Sequence, residues 1–339
     1  MVKKKQIKKN NFFDEFGKPG YGLAFLGISI SLISFSISAV ADFNSHENIV
    51  APVKLATDYI SIASKIDNVD IEAKSAIVYR IKNKEVIYAK NPDEVLPLAS
   101  LTKIPAIFTA SKMLGKDTDI PITETAVGRE GDTGLSYGEH FSFEMLSNLS
   151  LITSSNDGIF AIAEKASQLL SPKEEVFQDA ISTSTATTTE EYLIAPFVKK
   201  MNEEMHKIGL DNFTFHNASG LDIDEQVSGG YGTAREYAEL IAKILDENPD
   251  IILQTREPSI EAKTQNGFVV YGKNTNELVA STPGTFFSKT GYTDLASGNL
   301  AIAVDTGFND PVIVVVLGST YKDRFADAYK LYRAVFQSN

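Results

Sequence analysis

PLASLTKIPAIF, residues 97–108, is the stretch on which the reading of this chain turns. It sets Ser100 and Lys103 three residues apart, between a proline-bearing approach and an apolar run. On a helix, positions i and i+3 share a face, so the lysine amine can approach the serine hydroxyl. Desolvation and neighbouring cations lower a lysine's pKa enough for it to act as a base. A serine at a helix N-terminus also meets backbone N–H groups that favour developing negative charge. Taken alone, Ser-x-x-Lys reads equally well as a helix start, so the decision rests on what else the chain carries and in what order.

Two further stretches follow in sequence. TSSND, residues 153–157, lies between two helical patterns, as a loop should. Ser154 and Asn156 can point into one cleft while Ser155 points away. A hydroxyl can relay a proton, and an amide both donates and accepts, so it can hold a peptide group. SKTGYT, residues 288–293, falls on the first of the late strands. There Lys289 brings positive charge and Thr290 a hydroxyl. Gly291 lets substrate backbone approach the strand, and the Tyr292 N–H is a candidate second oxyanion donor beside that of Ser100.

Composition excludes other chemistries. The chain of 339 residues has a net charge of −12, against the basic face that nucleic-acid binding needs, so no nucleic-acid partner is expected. Cysteine is absent, and the four histidines, His46, His140, His206 and His216, include no i, i+4 pair. No metal site and no cofactor are therefore expected.

The N-terminus differs from the rest. Residues 1–20 hold six lysines against Asp14 and Glu15, so without them the remainder carries −16. Residues 21–41 hold no charge, and 21 uncharged residues can span a bilayer as a helix. The preceding lysines keep residues 1–20 cytoplasmic and send the rest outside. Segment 21–41 is thus a transmembrane anchor or, given Ala39-Val40-Ala41, a cleavable signal peptide. Residues 42–55 read as a linker, and 56–339 as one exported domain.

Within that domain, residues 55–66 have helical spacing. Residues 75–81 and 84–89 alternate as a hairpin, and helical patterns cover 106–114, 142–152, 158–170 and 192–209. Residues 171–190, with the run STSTATTT, read as a flexible Ser/Thr-rich insertion. Thr233 and Glu236 form a capping box for the helix that follows, each side chain serving the other's backbone donor. Residues 284–293, 298–306 and 311–319 read as strands, and 321–337 as a closing helix. Strands at both ends with helices between predict an α+β domain whose antiparallel sheet is built from both ends of the chain.

The three motifs in this order resemble the set of penicillin-binding proteins and serine β-lactamases, with Ser155 where the β-lactamase motif has aspartate. With the segments ASLTKI, GLSYGEHFSFEMLSNLSLITSSND, FHNASGLD, GTAREYAELIAKIL and SKTGYTDLASGN, roughly residues 72–335 resemble the D-alanyl-D-alanine carboxypeptidase family of low-molecular-mass penicillin-binding proteins. The resemblance implies a β-lactamase/transpeptidase-like fold, an antiparallel sheet packed against helices with a mostly helical lobe. It implies a serine D,D-peptidase that removes the terminal D-alanine of peptidoglycan stem peptides, with β-lactams as covalent inhibitors. By position, Ser100 is the acylated nucleophile, Lys103 its base and Ser154 the proton relay. Asn156 holds the substrate amide, and Lys289 and Thr290 bind the terminal carboxylate. The backbone N–H groups of Ser100 and Tyr292 form the oxyanion hole, with Gly291 between Thr290 and Tyr292 on the substrate-binding strand.

Departures and rivals also show. Pro105 follows the lysine closely and implies a tight or kinked helix start. The family's trailing β-sandwich and C-terminal amphipathic anchor are not found, so any tether is expected at the N-terminus. A D,D-endopeptidase needs the same residues. A class A β-lactamase would need a Glu-x-x-Leu-Asn stretch between Asn156 and Lys289, and none is present. A non-catalytic wall-binding protein would not need to keep the whole residue set. Asn217, Gly220 and Leu221 read as a structural turn, His216 as a local hydrogen-bonder and Glu139 as structural.

Overall fold

The structure is a computed structural model that describes residues 66, 69–131, 133–171, 189–307 and 310–338. The basic tail 1–20, the segment 21–41, the linker 42–55, all but the last residue of the helix expected over 55–66, and nearly all of the 171–190 insertion lie outside the described residues. Among the described residues, no helix is long and apolar enough to cross a membrane, and no cluster of side chains is suited to a metal ion.

The expected hairpin forms as β1 (Ser75–Arg80) and β2 (Glu85–Lys90). It joins the three late strands, β10 (Thr285–Thr293), β11 (Ser297–Asp305) and β12 (Pro311–Ser319), in one sheet of order β10-β11-β12-β1-β2. Every pairing is antiparallel, and Val78 opposite Val314 joins the two ends of the chain. Strand β10 lies at the sheet edge.

Both faces of this sheet are covered, which is why PVIVVVLGS shows no alternation. Val312, Val314 and Val316 pack with Ala328, Leu331 and Val335 of the C-terminal helix α7 (Asp323–Ser338). Ile313, Val315 and Leu317 join the larger core beneath the helical lobe. That lobe surrounds α1 (Lys103–Ser111), whose residues 103–110 are all buried. Around it lie α2 (Phe143–Ile152), α3 (Asn156–Leu170), α4 (Thr189–Lys207) and the single turn α6 (Asp250–Leu253). A helix enclosed in this way is apolar on all sides. Helix α5 (Ala234–Glu247) packs against β1 and β12.

Shorter pairings complete the fold: β3 (Leu96–Pro97) and β6 (Thr214–Phe215) flank β7 (Gly230–Gly232), and β4 (Asp119–Pro121) pairs with β5 (His140–Ser142). A second hairpin, β8 (Ser259–Lys263) with β9 (Val269–Lys273), was not read from the sequence.

One local expectation needs correction. Thr233 caps α5 as expected, its hydroxyl accepting from the Glu236 N–H at 3.1 Å. Glu236 does not complete the box. Its carboxylate instead accepts from the Asn212 backbone and side-chain N–H groups at 3.0 and 2.7 Å. Two donors on one neighbouring loop residue outcompete the single local one.

Candidate active site

Ser100 stands in a 3-10 turn, Ala99–Thr102, that runs straight into α1. The helix does start tightly. Pro105 cannot donate to the carbonyl of residue 101, four positions back. The buried Tyr237 hydroxyl donates to that Leu101 oxygen instead, at 2.9 Å. Ala99, just before the serine, has φ +48°, a conformation that costs a non-glycine residue roughly 1–2 kcal/mol.

The turn is pressed from two sides. A Cβ on Gly220 would fall 1.8 Å from the Ala99 oxygen, so only glycine lets the 217–221 loop come this close. A Cβ on Gly291 would fall 2.8 Å from the Leu98 oxygen and 3.2 Å from the Ser100 nitrogen. The space left by Gly291 is therefore filled by the serine-bearing turn, not kept for substrate backbone as the sequence suggested. Asn299 ties the approach down further, donating to the Pro97 oxygen at 2.9 Å.

The Lys103 amine is fully buried and has three neighbours. They are Ser100 Oγ at 2.8 Å, Asn156 Oδ1 at 2.7 Å and the Ser219 carbonyl at 2.9 Å. Burial, with the Lys289 charge nearby, holds its pKa well below the ordinary lysine value. Ser154 has φ +62° in the turn between α2 and α3, and its hydroxyl accepts from Lys289 Nζ at 3.0 Å. Ser155 points the other way and caps α3 through the Gly158 N–H. Lys289 is 1 % exposed; burial, then the charge of Arg324, brings its pKa down to about 7. The Thr290 hydroxyl shares a 2.6 Å hydrogen bond with Thr275. Ser100, Lys103 and Asn156 thus form one cluster and Ser154 and Lys289 a second, coupled by the repulsion of the two amines. The hydroxyls of Ser100 and Ser154 belong to partly accessible residues, and the amines lie beneath them.

Tyr292 follows on the same strand, half exposed, with its ring edge-on to Tyr321 at 5.1 Å. Behind it is a residue the sequence reading did not single out. Arg324, 4 % exposed, donates to the Gly291 carbonyl at 2.8 Å and lies over the Tyr321 ring, and its buried Nε has no partner. The carbonyls of Ser219 and, beside Asn156, of Glu130 were also missed, since a backbone oxygen leaves no sequence signal.

The residues given bland readings are built into supports. Asn217 donates to the Leu221 oxygen and accepts from the Gly220 N–H, closing a turn. His216 stands edge-on to Tyr231. Glu139 accepts from the Ser136 N–H within its loop.

A family model described as D-alanyl-D-alanine carboxypeptidase matches residues 62–168 and 194–320. The D-alanyl-D-alanine carboxypeptidase DacF of Bacillus subtilis is 30 % identical over 272 residues, covering 78 % of this chain and 62 % of that protein. The chain thus spans less than two thirds of that relative's length. A D-alanyl-D-alanine endopeptidase of Pseudomonas aeruginosa is 27 % identical over 78 % of this chain and 77 % of its own. Among solved structures, ampicillin-bound penicillin-binding protein D2 of Listeria monocytogenes superposes with TM-score 0.62 at 26 % identity, covering 79 % of this chain and 99 % of that one. A D-alanyl-D-alanine carboxypeptidase of Mycobacterium tuberculosis shares the fold with TM-score 0.66 at 21 % identity, over 82 % of this chain and 96 % of that one.

Proposed function

Because the chain belongs to the D-alanyl-D-alanine carboxypeptidase family, we propose that it is a serine D,D-peptidase that removes the terminal D-alanine of peptidoglycan stem peptides through an acyl-enzyme on Ser100. One observation carries this reading: a fully buried amine 2.8 Å from a serine hydroxyl, with two carbonyl oxygens as its other partners. A neutral amine has two N–H donors and one lone pair. Carbonyl oxygens only accept, so Asn156 and Ser219 take the two N–H groups and the lone pair faces the Ser100 O–H. Burial, with the Lys289 charge nearby, lowers the amine's pKa and so favours this neutral form.

Ser100 then attacks the carbonyl between two D-alanines as its proton passes to Lys103. The backbone N–H groups of Ser100 and Tyr292 receive the oxyanion. The departing amine takes its proton by way of Ser154, D-alanine leaves, and water activated by Lys103 clears the ester. Asn156 keeps one Nδ2 hydrogen for the substrate amide. Lys289, Thr290 and the buried Arg324 meet the terminal carboxylate. Cleavage of cross-links by the same residues is the second reading, favoured by the Pseudomonas aeruginosa endopeptidase among the relatives. The ampicillin on the Listeria protein supports β-lactams as covalent inhibitors here.

We place the domain, residues 56–339, on the extracytoplasmic side. Segment 21–41 is its anchor or its signal peptide. Intact-mass measurement of residues 42–339 with benzylpenicillin tests the reading. A persistent adduct on the wild-type protein, absent from Ser100→Ala, is expected. An adduct on both would remove Ser100 from its role, and none on either would remove the acyl-enzyme.

A further inference from the structure

Three consecutive residues at the start of α3 each grip the same facing loop. Ser155 Oγ lies 2.6 Å from Thr133 Oγ1. Asn156 Nδ2 donates to the Glu130 carbonyl at 2.6 Å. Asp157 Oδ1 accepts from the Arg129 backbone N–H at 2.9 Å. The loop turns at Gly131, with φ +84°, where an added Cβ would lie 3.8 Å from Asn156 Nδ2. The Arg129 guanidinium stacks on the Phe160 ring of α3 at 4.0 Å, which ties the same end of the loop to the same helix. Asp157 is 2 % exposed.

The amide of Asn156 has two possible orientations, related by a half-turn about its terminal bond. Only one puts an oxygen against Lys103. With the other, an NH₂ group would face the amine, compete for its lone pair and leave two carbonyl-type oxygens opposed at Glu130. The Glu130 carbonyl therefore selects the orientation, and its own position depends on the Arg129–Asp157 hydrogen bond one residue away.

We propose that Asp157 is a positioning residue: by fixing residues 129–131 it holds the Glu130 carbonyl on Asn156 and so keeps Asn156 Oδ1 turned toward Lys103. The inference rests on the reading that Lys103 activates Ser100. Removal of the carboxylate takes away the hydrogen bond that fixes the Arg129 backbone next to Glu130, and Asn156 then samples the unproductive orientation more often.

A double-mutant cycle on the full chain tests this, with the benzylpenicillin acylation rate and melting temperature as readouts. Asp157→Ala is expected to slow acylation at least tenfold in the wild-type background and less than twofold in the Asn156→Ala background. Asp157→Asn keeps an oxygen for the Arg129 N–H and is expected to stay within threefold of wild type. Equal losses in both backgrounds would assign Asp157 a general structural role and overturn the proposal. So would an Asn variant as slow as the Ala variant, which would show that charge and not the hydrogen bond matters. If Asp157→Ala does not fold, Asp157→Ser, too short to reach the loop, goes through the same cycle with the same expectations. A wild-type protein that forms no adduct would defeat the functional reading itself, an outcome distinct from any result of the cycle.

Discussion

Replacing Gly291 by alanine should damage the chemistry far more than the fold. The new Cβ would meet the Leu98 oxygen at 2.8 Å and the Ser100 nitrogen and Ala99 Cβ at 3.2 Å. Relief requires the turn to retreat by roughly half an ångström, since apolar atoms settle near 3.5–4.0 Å. Retreat is opposed on the far side, where the Ala99 oxygen abuts Gly220 and the Leu98 N–H is bonded to the Gly230 oxygen at 2.8 Å. Catalytic groups tolerate displacements of about 0.5 Å, and a shift of about 1 Å costs on the order of 100-fold in rate. An acylation rate lowered roughly 10- to 100-fold follows from that scale. Overpacking of one methyl group should cost about 1–3 kcal/mol of stability. Stopped-flow acylation by a fluorescent penicillin, with thermal melts alongside, separates the two effects. An alanine variant that acylates within threefold of wild type would refute the reasoning, because the serine turn would then not depend on the gap at residue 291.

Two other expectations concern pH. Lys289, its pKa lowered by burial and Arg324 to about 7, loses its charge as pH rises through neutrality, so KM for a carboxylate-bearing peptide should rise above pH 7 in the wild type and stay flat in Lys289→Arg; a flat wild-type profile would detach Lys289 from the carboxylate. Glu204 shows the opposite sign. Burial pushes its pKa up, but hydrogen bonds from Lys200 and Lys112 prevail and bring it to about 2. Its contribution is therefore complete above pH 4.5 and is lost as pH falls toward 2. With both lysines about one-third exposed, it should be worth on the order of 1–3 kcal/mol. Urea melts of wild type and Glu204→Gln should differ by that amount at pH 6 and converge near pH 2; a constant difference would contradict the assignment.

The sequence told most where side chains themselves carry the pattern. Period-two alternation marked the β1–β2 hairpin, and the apolar run of β12 marked a strand. The Asn266-Gly267 dipeptide between β8 and β9 is a hairpin signal that went unread, because the flanking residues, SIEAK and VVYGK, alternate too weakly to announce strands. The three motifs named side chains that the fold brings together, Ser100 and Lys103 with Asn156, and Ser154 with Lys289. They could not show what holds those side chains. Lys103 faces the backbone oxygen of Ser219, and Asn156 that of Glu130; any residue supplies a carbonyl. Gly291 was recognised as a close approach, but what approaches it is a matter of tertiary packing. Arg324 stands 35 residues beyond Lys289, and only the turn from β12 into α7 brings it behind Gly291. Glu236 had the spacing of a capping box and was drawn instead to Asn212, a partner that exists only once the chain has folded.

The burial of both site amines has a consequence for ionic strength. Dissolved ions screen exposed charges over a Debye length of about 8 Å at physiological salt, but they cannot enter the protein interior. With Lys103 and Lys289 at 0 and 1 % exposure, the field that keeps one amine basic and the other half-titrated originates within the fold. Salt therefore acts on the acidic exterior, and so on solubility and long-range encounter, while the reacting groups are insulated from it. An enzyme proposed to work outside the cytoplasm thereby has a site whose two amines respond little to the salt of its surroundings.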